Sequence, residues 1–349
     1  MMMRKVSLVM PVYNTNPDLF KDAVESVLKQ EYDCFELIIV DDGSSEEIAG
    51  LCDAFLPADS RIRVVHQENS GVSAARNNGT ALSTGDYVMY MDSDDVLAPY
   101  ALREGMEIID RTGAQFLFAG VQHIKNRREF NCTASAEPEF TVYSKDETDV
   151  VRKAFLTQRK KEYLNINATG FVNRGPCARL IRTDIAKSVK FDDRLRIGED
   201  VEWNMRILNA CDCVCFVSSL WYGYIVYESS SLHKYYGNRA QLLERYHKIL
   251  YENNRDYCSK NPEDYATNMA VSFYSMVLYE YMSDKCPLKE SEKRRELKSI
   301  LKREPWTIMS EPLIRKKLPL RYRAFINACK CGAGLAMLKI WERIKRWKR

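Results

Sequence analysis

Through the first third of the chain, short apolar runs alternate with amphipathic helical stretches, and acidic residues gather where the runs end. Val6–Met10 reads as a strand. A helix then opens with Asn16 as N-cap and Pro17 at its first position, with Leu19, Phe20, Ala23, Val24, Val27 and Leu28 on one face. Glu36–Val40 is a continuous run of the kind buried in parallel sheets. Ser44 and Glu47 have capping-box spacing and predict a helix to about Phe55. Ile62–His66 is a third strand, Gly71–Leu82 a helix and Tyr87–Met91 a fourth strand. A helix from about Pro99 and a strand at Gln115–Val121 follow. This order predicts an α/β fold: a Rossmann-like, doubly wound, mainly parallel sheet flanked by helices. In such a sheet, ligands sit at the carboxyl ends of the strands.

Beyond that point the pattern loosens. Residues 125–168 are polar and predict an irregular excursion, and Gly170–Ile181 returns to the core. Glu199–Ala210 reads as a helix and Val214–Tyr227 as two strands. From Gly237 the chain reads as helical, so a boundary near 235 divides residues 1–235 from a helical C-terminal region, 236–349. The longest apolar stretch, Cys211–Tyr227, contains Asp212, Ser218, Ser219 and Gly223, which favours strands over a membrane span. Eleven cysteines are scattered without zinc-site spacing. Cys211, Cys213 and Cys215 alternate and read as core residues on one strand face. Such a set predicts a reducing compartment. The opening MMMRKVSLVMPVYN lacks signal-peptide character, which agrees with the cytoplasm.

The chemistry concentrates at strand ends. Asp92-Ser93-Asp94-Asp95 follows the fourth strand. Three carboxylates in four residues repel one another unless something positive is present, and a hard divalent cation answers that need. Acids complementing a helix N-terminus are the plainer alternative. Asp41-Asp42-Gly43-Ser44-Ser45 follows the second strand; one Asp suffices for a turn, and a second could accept from the N3–H of uracil. The first strand ends in Pro11-Val12-Tyr13-Asn14 where a dinucleotide fold would carry a glycine-rich loop. A nucleotide here needs its phosphates neutralised another way, and Tyr13 could stack on the base. Gly198-Glu199-Asp200 opens the later helix.

Taken in order, PVYN, VDDGS, NSGVSAARNNG, DSDD and IGED resemble the glycosyltransferases of family 2, over residues 5–235. The resemblance implies a GT-A fold and transfer of a sugar from a nucleotide-sugar, a UDP-sugar above all, to a carbohydrate or lipid-linked glycan. It points to bacterial capsule, O-chain or teichoic-acid synthesis at the inner face of the cell membrane. It also implies roles. Pro11, Val12 and Tyr13, with Asn14, frame the base and ribose. Asp42, with Asp41, reads the uracil, and Arg76 braces the nucleotide site. Asp92 and Ser93 approach the ribose and donor sugar. Asp94, helped by Asp92, holds Mn²⁺ or Mg²⁺, and Asp200 is the general base of an inverting transfer.

Two departures qualify the resemblance. The stretch YGYIVYESSSLHKYY, residues 222–236, lacks the arginine that relatives often place there; His233 or Lys234 could substitute, His233 as a third metal ligand. In GPCARLIR, residues 175–182, Ala178-Arg179 stands where relatives tend to carry Asn-Lys. Leu313–Arg349 holds twelve Lys or Arg and one acid, Glu342. That stretch carries +11 and the rest −7 within a total of +4. In Leu335–Arg349 the apolar residues Leu335, Met337, Leu338, Ile340, Trp341, Ile344 and Trp347 share a face opposite Lys339, Arg343, Lys345, Arg346 and Lys348. That pattern suits an interfacial helix on anionic lipid, or packing on its own domain or a second subunit in an oligomer. One short helix with an acidic body does not make a nucleic-acid groove. A sugar-1-phosphate nucleotidyltransferase would show a glycine-rich first loop. An inactive transferase-like scaffold is the remaining alternative, and the intact Asp94 and Asp200 argue against it.

Overall fold

The computed structural model describes residues 3–130, 132–135, 137–158, 175–226 and 235–347, with side chains as far as 344. The chain forms two compact units. One consists of Met1–Arg152, Lys160–Arg194 and Glu199–Tyr227; the other consists of Lys153–Arg159, Leu195–Gly198 and Glu228–Arg349.

The first unit is built on one nine-stranded sheet. Its strands are β1 Val6–Val12, β2 Phe35–Asp41, β3 Ile62–His66, β4 Tyr87–Tyr90, β5 Val96–Leu97, β6 Phe116–Ile124, β7 Phe140–Ser144, β8 Arg179–Arg182 and β9 Cys213–Ile225. The order is β3-β2-β1-β4-β8-β6-β9-β5, with β7 also on β9. Strands β1 to β4 are mutually parallel, as is β6 with β9, and β8 runs antiparallel between β4 and β6. Helices α1 Pro17–Leu28, α2 Glu46–Asp53, α3 Val72–Leu82 and α4 Ala101–Thr112 connect the strands.

The local reasons are visible. Asn16 Oδ1 accepts from the amides of Asp18 and Leu19, Pro17 opens α1, and Phe20, Ala23, Val24 and Val27 are buried. In β2, Glu36 is buried among apolar neighbours, where Ser7 Oγ donates to it at 2.6 Å and the Thr84 amide at 2.7 Å. Burial pushes its carboxyl up, yet those hydrogen bonds and Lys5 bring it down to about 2. Helix α3 approaches the sheet so closely that a Cβ on Gly79 would lie 2.3 Å from Val9 Cγ1.

Several expectations are corrected. The capping box at Ser44 and Glu47 does not form: α2 starts at Glu46 after Ser45, and the Ser44 hydroxyl accepts from the Asn14 amide instead. The polar stretch 125–168 contains β7 and a helix, α5 Thr148–Thr157. The two strands expected over Val214–Tyr227 are one, β9, which is kept continuous by bulges in its pairing with β6 between Phe118 and Val121. Cys213 and Cys215 lie on β9, Cys211 precedes it, and all eleven thiols are free.

The second unit is helical: Arg239–Asn253, Arg255–Lys260, Pro262–Met276, Glu290–Ile300, Pro312–Lys317, Leu320–Cys331 and Gly334–Trp347. Trp306, fully buried, packs edge-on to Phe273, and Phe273 lies against Phe325. The last helix uses its apolar face here. Leu335 and Leu338 are buried, and the Trp341 ring lies 6.1 Å from Phe325 and 6.3 Å from Tyr274. Of the three fates open to that helix, packing within its own unit accounts for this part of the face. No helix among the described residues is long and apolar enough to cross a membrane.

Candidate active site

The parallel register brings three strand ends together. Val12 lies beside Asp41, Val9 beside Tyr90, and Asp41 beside His66. The Asp42 amide donates to Val12 O at 2.8 Å, and the Met91 amide to Val9 O at 3.1 Å. Residues from the first, second and fourth strand ends therefore share one edge of the sheet.

At the end of β1, Pro11 and Val12 are buried, while Tyr13 is 56% exposed and can offer its ring face. Asn14 has a left-handed φ of 46°, and its Oδ1 accepts from the Ser45 amide at 2.8 Å. With the Ser44 contact, Asn14 ties the first loop to the second. Thr15 Oγ1 and Ser93 Oγ lie 2.6 Å apart, which ties it to the fourth.

Both second-strand carboxylates are buried and in use. Asp41 accepts from the Ser44 amide at 3.0 Å and faces His66 Nδ1 at 2.8 Å. Burial pushes the Asp41 carboxyl up, but Ser44 and His66 outweigh it and hold it below the usual range. Asp42 accepts from Gln67 Nε2 at 2.7 Å and from the Ser70 and Gly71 amides at 2.8 Å each. The second Asp of the pair thus has a structural task, holding residues 67–71 at the entry of α3. His66, overlooked in the sequence, also meets Asp53 at 3.1 Å, and Asp41 and then Asp53 raise its imidazole above the ordinary value.

At the fourth strand the acids part company. Asp92 and Asp94 are half-exposed, and Ser93 is buried. Asp95 turns inward, where its Oδ1 accepts from the Ile225 amide at 2.8 Å and its Oδ2 has no hydrogen-bond partner. Burial, then Asp92 and Asp94, raise its carboxyl well above the usual range. Arg76, 5% exposed, donates to Asp92 Oδ1 at 2.8 Å and lies 3.9 Å from Glu199. Its Nε and Nη1 make no hydrogen bond. Burial works against the guanidinium, yet Asp92 and Glu199 outweigh it and raise its pKa.

Glu199 and Asp200 open the helix Glu199–Ala210. Asp200 is half-exposed, and its Oδ1 accepts from the Val201 amide at 2.7 Å. Behind it, buried Arg179 donates to Asn204, whose Nδ2 donates to the Asp200 carbonyl at 2.6 Å. Burial brings the Arg179 guanidinium down to about 9. Burial and then Asp200 push Glu199 up to about 7, against the pull of Arg76. His233 and Lys234 lie outside the described residues.

The donor chemistry at the end of β4 fits a hard divalent cation, because Asp92 and Asp94 are carboxylates with accessible surface. Among the described residues no three His, Cys, Asp or Glu side chains form a group that could hold a metal ion. A cation on Asp92 and Asp94 would therefore complete its shell with phosphate and water oxygens, as Mg²⁺ commonly does.

Comparison with known proteins shows which family the chain belongs to. The chain is 46% identical over 93 residues to the Streptococcus pneumoniae serotype 4 glycosyltransferase GlyG, covering 26% of this chain and 31% of that one. It is 28% identical over 233 residues to GlyA of the same organism, covering 65% of this chain and 31% of that one. It thus spans about a third of the length of these two relatives. It is also 27% identical over 260 residues to Bacillus subtilis EpsH, covering 73% and 70%. In fold it is similar to S. aureus TarS 1–349, solved in complex with UDP-GlcNAc, with a TM-score of 0.65, 14% identity and coverage of 98% and 92%. The profile described as Glycosyl transferase family 2 matches residues 7–189, more than half of the chain's 349 residues, and this protein belongs to that family as a glycosyltransferase of GT-A fold.

Proposed function

We propose that the chain moves a sugar from a UDP-sugar to a hydroxyl of a carbohydrate or lipid-linked glycan, with inversion, in the synthesis of a bacterial surface polysaccharide. The observation that carries this reading is a pair of distinct acidic centres: Asp92 and Asp94 at the end of β4, and Asp200 at the head of its helix. An inverting transfer needs one centre for the leaving diphosphate and one for the acceptor proton.

In this reading Tyr13 stacks on the base, with Pro11, Val12 and Asn14 shaping the ledge beneath it. Asp41 and Asp42 border the base, each with lone-pair capacity left beyond its protein donors. Asp92 and Ser93 face the ribose and sugar. Arg76 holds Asp92 in place, and its Nε and Nη1 are left to donate. Asp200 takes the proton from the acceptor hydroxyl as that oxygen attacks the anomeric carbon, and Asn204 and Arg179 fix the turn that carries it. When bound at Asp92 and Asp94, Mn²⁺ or Mg²⁺ supplies charge stabilisation for the departing diphosphate.

Thermal unfolding with a panel of nucleotides, with and without Mn²⁺, tests the donor site. UDP at a hundred times its dissociation constant adds about 2.7 kcal/mol of stability. The Asp94→Ala variant loses the Mn²⁺-dependent part. Asp200→Asn keeps donor binding and loses turnover. A shift with another nucleotide and none with UDP would reject the base assignment. Turnover retained in Asp200→Asn would reject Asp200 as the base.

A further inference from the structure

The two most exposed large apolar side chains among the described residues, Leu313 at 78% and Leu320 at 70%, stand seven positions apart in the second unit. Between and beside them are Arg315, Lys316, Lys317, Arg321 and Arg323. Of these five cations, only Lys317 has a carboxylate partner among the described residues, Glu263 at 3.0 Å. The leucines are held outward. Ile314, Leu318 and Tyr322 alternate with them and are buried, so the segment is anchored through its other face. Pro312 and Pro319 set the starts of the two short helices on which the leucines sit.

A third exposed apolar residue, Ile344, lies on the last helix. The helices Leu320–Cys331 and Gly334–Trp347 are linked by a left-handed turn at Gly332, and a Cβ on Gly334 would fall 2.2 Å from Cys329 Sγ. The helices therefore begin in close contact and run back along each other, with Phe325 level with Trp341. At 1.5 Å per residue, Leu320 and Ile344 then lie at the same end of the hairpin. Ile344 is 49% exposed.

We propose that this end of the helical unit, centred on Leu313 and Leu320, is a docking surface for an anionic lipid bilayer. On the apolar face of the last helix, Leu335 and Leu338 are spent on internal packing, while Ile340 and Ile344 stay exposed and can add to the surface rather than form it alone. Protruding leucines ringed by cations match a membrane interface, which presents negative headgroups above an apolar layer. A soluble polyanion would satisfy the cations and leave the leucines in water. A protein partner fits less well, since the buried cores of protein interfaces are depleted in charged residues and enriched in aromatic ones, whereas here cations lie among exposed leucines.

Sedimentation of the full chain with vesicles tests this and reads binding, not turnover, so its failure leaves the transferase reading intact. Vesicles rich in phosphatidylglycerol should carry the protein down, and phosphatidylcholine vesicles should not. Leu313→Glu and Leu320→Glu should each lower partitioning about ten-fold. Replacing Arg315, Lys316 and Arg321 by Gln should cost about five-fold apiece and flatten the salt dependence. These positions are exposed or have no carboxylate partner, so unchanged thermal unfolding of each variant will show that its fold is intact. Equal binding to both vesicle types, or binding that survives both leucine changes, overturns the proposal. So does binding lost only on Ile340→Glu with Ile344→Glu, which would make the last helix the anchor. If the leucine variants instead abolish self-association in sedimentation velocity, the patch is a subunit interface and the lipid proposal falls.

Discussion

Arg76 is tied to Asp92 by a single 2.8 Å hydrogen bond, with its other donors unused and its guanidinium buried beside Glu199. Removing the cation leaves two carboxylates facing each other at the heart of the site. Arg76→Ala should cost about 2–3 kcal/mol of stability in urea denaturation, less than the roughly 3–5 kcal/mol of a fully buried pair because the Asp92 carboxylate left behind is half-exposed. Adding Asp92→Asn to that variant should recover part of the loss. Fully additive losses would mean that the two side chains do not act as a pair.

Asp42 supports three donors, two of them main-chain amides at the entry of α3. Asp42→Ala orphans both amides and should destabilise by about 2 kcal/mol or more. If Asp42 served only to read a base, the apo protein would keep its stability and only the nucleotide shift would fall. Comparing the unfolding midpoint with and without UDP separates the two.

His66 sits between Asp41 and Asp53, which hold its imidazole above the ordinary value. A raised histidine stabilises the fold fully below its unfolded pKa, and the gain fades as pH climbs through the folded one. Wild type should therefore exceed His66→Gln most at about pH 6 and by less with each step toward pH 9. His66 is substantially exposed, so the effect will be small and salt-sensitive. A difference that grows with pH would contradict the ion-pair geometry.

What could be read in advance follows from which interactions are local. Period-two and period-3.6 patterns mark β1 to β4 and their helices, and the acids at the carboxyl ends of β2 and β4 follow from the parallel order. Strand β7 is half-exposed and, among the described residues, pairs with β9 alone, so its sequence lacks a core pattern. Val214–Tyr227 reads as two strands, whereas pairing with β6 carries β9 through Ser218 and Ser219 as one. The task of Asp42 was invisible because its donors, Gln67, Ser70 and Gly71, come from some 25 residues later in the chain. His66 could have been found: it ends β3 in register with Asp41, at the same edge of the sheet. For the last helix, periodicity gave the apolar face but not its partners, Phe325 and Tyr274.

Glu199 offers the sharpest pH test. Burial and the neighbouring Asp200 lift its carboxyl from 4.5 to about 7, with Arg76 pulling the other way. The folded state thus holds this proton more tightly than the unfolded chain, so stability is greatest while Glu199 is protonated in both states. As pH rises from about 4.5, the unfolded chain releases the proton first and stability falls; above about 7 both states are ionised and the loss levels off. Glu199→Gln removes this ionisation while the other groups titrate as before, so its stability relative to wild type should rise across this window and level off above it. Urea midpoints for both proteins between pH 4.5 and 8 measure the difference directly. A wild type that gains on the Gln variant as pH rises would mean that Arg76 dominates, and that Glu199 enters the site as a standing negative charge beside Asp200.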